Sequence, residues 1–504
     1  MSDTSTYSAY RTDVRQAREW LHISAQDRML LAFILGVLAM GRVFAMFLLP
    51  FTDTTEARYA EMARIMAETG DWITPQIDYG VPFWGKPPLH TWLAAAGIEI
   101  FGANGFGARL PIFLCSLAVL WTTFAFVRSE MGRNAALVTV TILASSALFF
   151  GASAFVMTDM VMTLGVVLVM AGVWMSQGEP RTLWGYCVFL GLAIGLLAKG
   201  PVAVVLCIIP LAIWVTLARR WEVITMLPWL QGGMLLVVLV APWYLIAEWK
   251  TPGFLHYFII GEHFERFTVP HWQGDLYGSG HERPKGAIWL SWLAAFLPWT
   301  LVFVLIVVRA KQMRAVLTSD RSGWVLYLLV WAASPMILFS LSANILTSYV
   351  LPGLSASAAL LVTLGIKSGV RPDDSRVRTG FVLLSTCFSF FLVLLLSVAS
   401  LLPQDGGLPS DRDLVKAAQE VDADAPLFFM GQRTYSSAFY SRGKSRSVTG
   451  AELEQGLEMP HTLAVRTREE TDQPILNTAD YQRIGTFGKW ALFYLARKNQ
   501  EAVQ

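Results

Sequence analysis

Four short strings in this sequence combine residue types able to move a proton or hold a phosphate. The first runs Asp53-Thr54-Thr55-Glu56-Ala57-Arg58-Tyr59-Ala60-Glu61. Asp53 and Glu56 stand three residues apart, and either could serve as a general base. The same spacing suits a helix start, with Asp53 or Thr54 as N-cap and Glu56 complementing the dipole. The second string is Trp84-Gly85-Lys86-Pro87-Pro88-Leu89. Two prolines fix the backbone after the lysine, and the glycine before it permits close approach. A lysine so held suits phosphate binding, or it snorkels to lipid headgroups. The third is Asp159, one turn into an apolar run in Val156-Met157-Thr158-Asp159-Met160. A carboxylate there is costly and functional by default, with a cap at Thr158 or Asp159 as the alternative. The fourth is Glu262-His263-Phe264-Glu265-Arg266-Phe267, in a segment holding His256, His263, His271 and His281, four of the seven histidines. It fits no zinc signature, yet a divalent cation near His263, Glu262 and Glu265 is conceivable. Tyr349 enters a later apolar run, where it either hydrogen-bonds a ligand or serves as a membrane-belt aromatic.

The elements that must position these residues are membrane helices. Of 504 residues 54% are hydrophobic without counting 39 glycines, and only 15% are charged. Soluble domains run about 45–50% apolar with glycine included and about 25% charged. A set of soluble domains is excluded, as is disorder. A net charge of +2 leaves no global footprint for nucleic acid. A crossing needs about 20 apolar residues. Eleven stretches qualify: 29–50, 107–127, 134–152, 157–177, 182–198, 200–217, 226–247, 287–308, 323–341, 350–366 and 379–402. With the N-terminus inside, every inner loop carries Lys or Arg, while the far longer outer loops hold few, as the positive-inside rule requires. The first stretch lacks a cleavage site and is expected to remain as an anchor. Residues 1–28 then form a cytoplasmic tail, and 29–402 a membrane domain with long outer loops 51–106 and 248–286. The polar remainder, 403–504, alternates helix and strand and reads as a small outer α/β domain. Its expected elements are a helix from Asp411, a strand at Pro426–Met430, a helix near Ser436 and a strand near Ser445. A helix opened by the Thr449–Glu452 capping box, a strand near Leu463 and a hairpin around Gly485–Phe487 follow. In the first outer loop Tyr59, Met62, Ala63 and Met66 share one helical face, with Glu61, Arg64 and Glu68 on others, which predicts an amphipathic helix lying on the membrane. All four cysteines fall inside spans, so neither a disulfide framework nor a thiolate metal site is expected.

These motifs taken in order resemble a known family. Thr55-Glu56-Ala57-Arg58-Tyr59-Ala60-Glu61 is followed by Gly70-Asp71-Trp72, Gly85-Lys86-Pro87-Pro88-Leu89 and Phe106-Gly107-Ala108-Arg109-Leu110-Pro111. Thr158-Asp159, Ala198-Lys199-Gly200-Pro201, Glu262-His263 with Arg266, and Tyr349-Val350-Leu351-Pro352 continue the series. The string resembles the bacterial aminoarabinose transferases of the GT-C class, whose relatives include the protein O-mannosyltransferases. The resemblance implies a polytopic α-helical membrane protein of about eleven to thirteen spans with a periplasmic α/β domain. It further implies an inner-membrane glycosyltransferase that takes a sugar from an undecaprenyl-phosphate-linked donor and passes it to a periplasmic lipid or glycan acceptor such as lipid A. By the same resemblance Glu56, Asp53 and Asp159 are catalytic candidates, and Arg58, Lys86 and Tyr349, with neighbouring Tyr59, are donor-binding candidates. His263 and Glu262 are the candidate ligands of a divalent metal. The family commonly has Asp-Glu at the start of the first motif, whereas this chain has Thr55-Glu56, which leaves the first-loop base open between Glu56 and Asp53. The competing readings are a protein O-mannosyltransferase-like enzyme and a transporter or flippase of lipid-linked substrates. Transporters commonly show repeated halves and midplane polar sites, whereas the ionisable clusters here lie at outer ends.

Overall fold

The computed structural model describes residues 24–496, apart from 178–181, 270–271, 279–282, 309–319, 321, 343, 369–373, 403–407, 456, 458–459, 471–475 and 477–479. Most of the expected N-terminal tail, several inner-loop basic residues (Arg181, Arg309, Lys311, Arg314, Arg321 and Arg371), His271 and His281 lie outside the described residues.

The membrane part begins with α1 (Ala25–Leu48), opened by a Ser24–Asp27 capping box. The first outer loop then holds α2 (Thr55–Thr69), a small hairpin of β1 (Gln76–Asp78) and β2 (Val81–Pro82), and α3 (Leu89–Phe101). Next come α4 (Gly105–Ala144), α5 (Ala147–Ala152), α6 (Thr158–Met175), α7 (Leu183–Ala198), α8 (Pro201–Ala218) and α9 (Trp229–Lys250). A helical stretch over 254–268, π-helical across Tyr257–Glu265, makes up much of the second outer loop. The bundle ends with α10 (Ala287–Ala295), α11 (Trp299–Val308), α12 (Trp324–Phe339), α13 (Leu351–Lys367) and α14 (Ser375–Leu401).

A straight helix of 40 residues would be about 60 Å long, twice the hydrocarbon thickness. Accordingly α4 turns at Gly132, whose φ of 86° and ψ of 174° no helix interior allows and glycine adopts freely. Leu120 packs in one cluster with Ala144 and Phe150, and Phe113 in another with Ala154, so the chain returns alongside itself and supplies two crossings. The expected crossing at 287–308 is not one helix. Its two halves, α10 and α11, meet at 112°. Pro298 lies at the break, where it lacks an N–H and its ring would clash with the carbonyl four residues back.

The ends of the helices match across the bundle. Arg378 pairs with Asp27 at 2.8 Å, the Met131 sulfur meets Thr363 at 3.2 Å, and the Trp214 indole donates to the Gly323 carbonyl at 3.1 Å. These residues all close spans on the inner side in the expected orientation. The polar strings gather at the opposite end.

Beyond the bundle come α15 (Arg412–Val421), β3 (Leu427–Met430), α16 (Tyr435–Tyr440), β4 (Ser445–Val448), α17 (Gly450–Gln455), β5 (His461–Arg466), β6 (Tyr481–Phe487) and β7 (Trp490–Leu495). The sheet order is β4-β3-β5-β7-β6; β4, β3 and β5 are parallel, and β7 and β6 close it antiparallel. Successive side chains point to opposite faces. Thus Phe429 joins Leu414, Trp490 and Leu492 on one side, while Phe428 joins Leu463, Val465 and Phe493 on the other. The elements expected from the sequence are all present, including the Thr449–Glu452 capping box.

The helix expected in the first loop is present as α2, but its polar residues are covered by protein. From Glu56 to Met66 every residue except Arg58 is buried, Glu61 and Arg64 included. Its apolar side meets α3 and α4 through Ala57, Tyr59, Ala94, Ile98 and Ala108, and Phe439 of α16 joins the same cluster from above. Arg64 satisfies its burial by donating twice to Glu61, at 2.7 and 2.8 Å, with Glu68 and Tyr79 as further partners.

Candidate active site

The outer end holds two polar centres and one junction. In the first centre Glu56, from the opening turn of α2, takes a bidentate pair from Arg109 of α4 at 2.8 and 2.7 Å. The remaining Arg109 donors satisfy the Met46, Leu49 and Pro50 carbonyls where α1 ends. The Val156 amide also reaches Glu56, at 3.3 Å. The arrangement ties three chain segments together and leaves both carboxylate oxygens occupied.

Asp53 forms the junction. It accepts from the Ser436 amide at 3.0 Å and from the Ser436 hydroxyl, across to the outer domain. Neither capping alternative for Asp53 and Thr54 is realised, since the Thr54 side chain makes no cap bond. Burial, with nearby Asp411 adding to it, pushes the Asp53 carboxyl up to about 6 despite the Ser436 hydrogen bonds and Lys489.

The second centre is the larger. Asp159, at the start of α6, pairs with Lys199 at 2.6 Å, and both are buried. Thr158 donates to the other Asp159 oxygen at 3.3 Å. The Lys199 ammonium stands 4.3 Å from the centre of the Tyr349 ring, which leans on Phe339. Lys199 follows α7, and Gly200 beside it has φ 85°; a Cβ there would lie 2.5 Å from the Phe258 ring. That glycine lets the second outer loop close over the site. From this loop Glu262 receives Lys86 at 2.9 Å and Arg266 at 2.9 and 3.0 Å. Burial pushes the Glu262 carboxyl up, but Lys86 and Arg266 outweigh it and hold the group below the usual carboxylate range. Arg266 also reaches Asp275 at 3.2 Å. Arg58 donates to the Tyr277 carbonyl at 3.2 Å and lies against the rings of Tyr59 and Phe83. The Tyr277 hydroxyl in turn accepts from the Trp84 amide, which joins Arg58 to the loop carrying Lys86.

Lys86, Asp159, Tyr349, Glu262 and His263 therefore meet in one network, with Arg58 and Tyr59 at its edge. Glu56 and Asp53 stand apart from it. Lys199 and Arg266 received no role from the sequence. Their signal was a cation at the outer end of a span and another in an outer loop, where the positive-inside rule disfavours both.

The candidate metal ligands His263 and Glu262 have other partners in this structure. The His263 nitrogens face the Phe258 carbonyl at 2.8 Å and the Lys199 carbonyl at 3.1 Å, while Glu262 is taken by two cations. Burial first, then Lys86, lowers the His263 imidazole below its ordinary range. Among the described residues no group of three His, Cys, Asp or Glu is placed to hold a metal. The donor set does not fit a divalent cation.

The chain is similar to several known proteins. A family model described as dolichyl-phosphate-mannose-protein mannosyltransferase matches residues 29–258. The undecaprenyl phosphate-alpha-4-amino-4-deoxy-L-arabinose arabinosyl transferase of Erwinia tasmaniensis is 30% identical over 62% of this chain and 55% of its own length. A Pseudomonas fluorescens protein of the same description is 30% identical over 61% of this chain and 52% of its own. The chain thus spans a little over half the length of the curated relatives it matches. The fold is shared with ArnT from Cupriavidus metallidurans bound to undecaprenyl phosphate, at a TM-score of 0.75 and 19% identity over 94% of this chain and 98% of that one. In its colinear motifs, in the family model matched over residues 29–258 and in its architecture, the chain is similar to the aminoarabinose transferases and the protein mannosyltransferases related to them.

Proposed function

We propose that the protein is an inner-membrane glycosyltransferase that moves a sugar from an undecaprenyl-phosphate-linked donor to a lipid or glycan acceptor at the periplasmic face. The observation that carries this reading is the convergence of Lys86, Lys199 and Arg266 on two buried carboxylates beside Tyr349, with Arg58 at the edge. A site so rich in preorganised cations, at headgroup depth and shielded from water, favours a developing phosphate anion. The relatives' description as arabinosyl transferases supports a pentosyl donor, and the capture of undecaprenyl phosphate by the Cupriavidus protein supports the lipid carrier.

In the reaction the acceptor oxygen attacks the anomeric carbon, the bond from that carbon to the phosphate oxygen breaks, and the lipid phosphate leaves on Lys86, Arg266 and Arg58. The acceptor hydroxyl must lose its proton, and Asp159 is the base we assign. Its Lys199 partner can turn to the leaving phosphate as that charge grows. Glu56 and Asp53, both held by other partners, support the site without touching the substrate. A single displacement inverts the anomeric centre. No step needs a metal.

The test is transfer from radiolabelled undecaprenyl-phosphate-linked aminoarabinose by purified, reconstituted protein, with lipid A and a Ser/Thr peptide as competing acceptors. Labelled lipid A is expected. Lys86→Ala and Asp159→Asn should each lower the rate at least a hundredfold, by loss of charge stabilisation or of the base. Full transfer by both variants would refute the assignment, and labelled peptide would favour the protein mannosyltransferase reading.

A further inference from the structure

We propose that the inner end of the membrane part carries a binding site for a zwitterionic phospholipid. It lies across the bundle from the cation-rich centre and stands whether or not that centre transfers a sugar. A cavity of about 180 Å³ lies between α1, the second limb of α4, α11, α13 and α14. Leu31, Ile142, Val302, Leu361, Gly365 and Phe381 line it. Its deep end is set by Trp299, whose indole donates to the Ser145 hydroxyl at 3.0 Å and whose ring lies 5.1 Å from that of Phe381. Gly365 adds to the space, since a Cβ built there meets no atom within 4 Å. At the other end are Asp27 and Arg378, in the first turns of α1 and α14. Among the described residues that line the cavity, only these two are charged. Val377 at the same rim is exposed, so the cavity opens at the inner membrane surface.

The shape and the lining choose the occupant. Water in a buried site needs two to four polar partners, which these walls do not offer. A helix with its side chains is about 10–12 Å across and is too wide to enter. An alkyl chain is narrow enough, and the surrounding bilayer supplies it. The mouth then selects the headgroup, because it carries both signs of charge. Asp27 Oδ2 accepts from the Ser24 amide at 3.3 Å and from the Ser24 hydroxyl at 2.7 Å. Asp27 Oδ1 is buried and, among the described residues, accepts no hydrogen bond, although Arg378 Nε stands 2.8 Å away. An ammonium group can donate to that oxygen, while the half-exposed Arg378 guanidinium turns its other donors to a phosphate. A headgroup with both groups thus adds a partner to each side chain. A purely anionic headgroup would meet Asp27 with like charge.

The probe is dioleoyl phosphatidylethanolamine, added to delipidated full-length protein in detergent, with dioleoyl phosphatidylglycerol and undecaprenyl phosphate as competitors. Native mass spectrometry should show one phosphatidylethanolamine per protein, bound about tenfold more tightly than phosphatidylglycerol. Gly365→Leu places a side chain in the open space and should weaken that binding about tenfold or more. Without lipid its melting temperature should match or exceed that of the wild type, because leucine is the better helix former. Added phosphatidylethanolamine should raise the melting temperature of the wild type and not that of Gly365→Leu. Asp27→Asn removes the negative charge and should abolish the preference over phosphatidylglycerol. Equal binding of the two phospholipids by the wild type, or undiminished binding by Gly365→Leu, would overturn the proposal. So would a preference retained in Asp27→Asn, an arm that decides the matter even if Gly365→Leu fails to fold. Displacement of phosphatidylethanolamine by equimolar undecaprenyl phosphate would make the polyprenyl tail the occupant and overturn it as well.

Discussion

Glu56 receives two N–H groups from Arg109 in a buried setting, and the chemistry of that pair differs from that of Asp159 with Lys199. Arg109 spends its other donors on three carbonyls, so neither partner can be released without stranding several buried groups. Removing one member of a buried pair costs about 3–5 kcal/mol, because the remaining charge has no partner. Glu56→Gln should therefore lower the unfolding midpoint in detergent while leaving the donor Kd of the surviving folded fraction near wild type. A Glu56→Gln protein that melts normally but has lost transfer would instead make Glu56 the base. Asp53 allows a pH test. Its carboxyl is raised to about 6 from an ordinary 3.8, first by burial. The docked state therefore binds the proton more tightly than the undocked one. Its contribution to docking is full below about pH 4, falls as pH rises towards about 6, and is flat above that. Asp411, also raised by burial, acts in the same direction, while Lys489 opposes both. Protection from hydrogen exchange over 408–441, taken relative to the intrinsic rate at each pH, should be greater at pH 4.5 than at pH 7, and Asp53→Asn should make the difference shallower. An identical pH response in Asp53→Asn would remove Asp53 from the junction.

At the scale of elements, α6 and α7 decide where the Asp159–Lys199 pair can form. Asp159 opens α6 and Lys199 follows the end of α7, so the antiparallel helices bring the two together from 40 residues apart. The crossing is close because it is made of glycine. A Cβ at Gly191 would stand 2.5 Å from the Gly165 carbonyl oxygen, and one at Gly165 2.6 Å from that of Gly191. Small residues at such crossings let backbones approach in a membrane, where apolar side chains gain little by leaving lipid. Gly191→Val should force the helices apart, cost about 1–3 kcal/mol by overpacking, and depress transfer by shifting Lys199 from Asp159. Normal transfer in that variant would show that the pair does not depend on the crossing. This scale also separates what was legible in the sequence from what was not. Apolar runs and turn residues located the spans, and Arg128 with Arg133 marked the reversal that Gly132 makes. The partners were not legible, because Lys86 and Glu262 are 176 residues apart, and Glu56 and Arg109 53 apart. Nor was the burial of α2, whose periodicity read as interfacial because the surface that covers it comes from Phe439, near the other end of the chain.

Taken whole, the molecule is polarised along the membrane normal, and its net charge of +2 conceals this. Basic residues on inner loops set the direction of insertion, while the outer cations are buried against carboxylates and can be held away from lipid without contradicting that bias. A cation-rich centre on the outer side is compatible with positive-inside topology for this reason: Lys86, Lys199 and Arg266 each enter the membrane level already paired. The outer domain adds the last constraint, since its Arg433 and Ser436 can reach Asp78 and Asp53 only from the side on which α2 lies. Arg378 and Asp27 must then close the opposite end. In a variant with the four native cysteines replaced by serine or alanine, a cysteine introduced at exposed Lys416 of α15 should react with a membrane-impermeant maleimide in intact spheroplasts. One introduced at exposed Arg376, in the first turn of α14, should react only after permeabilisation. The reverse pattern would put the cation-rich centre on the cytoplasmic face, where a lipid-linked donor would be met in the wrong leaflet. Equal labelling at both positions would mean that the inner-loop charges do not fix one orientation.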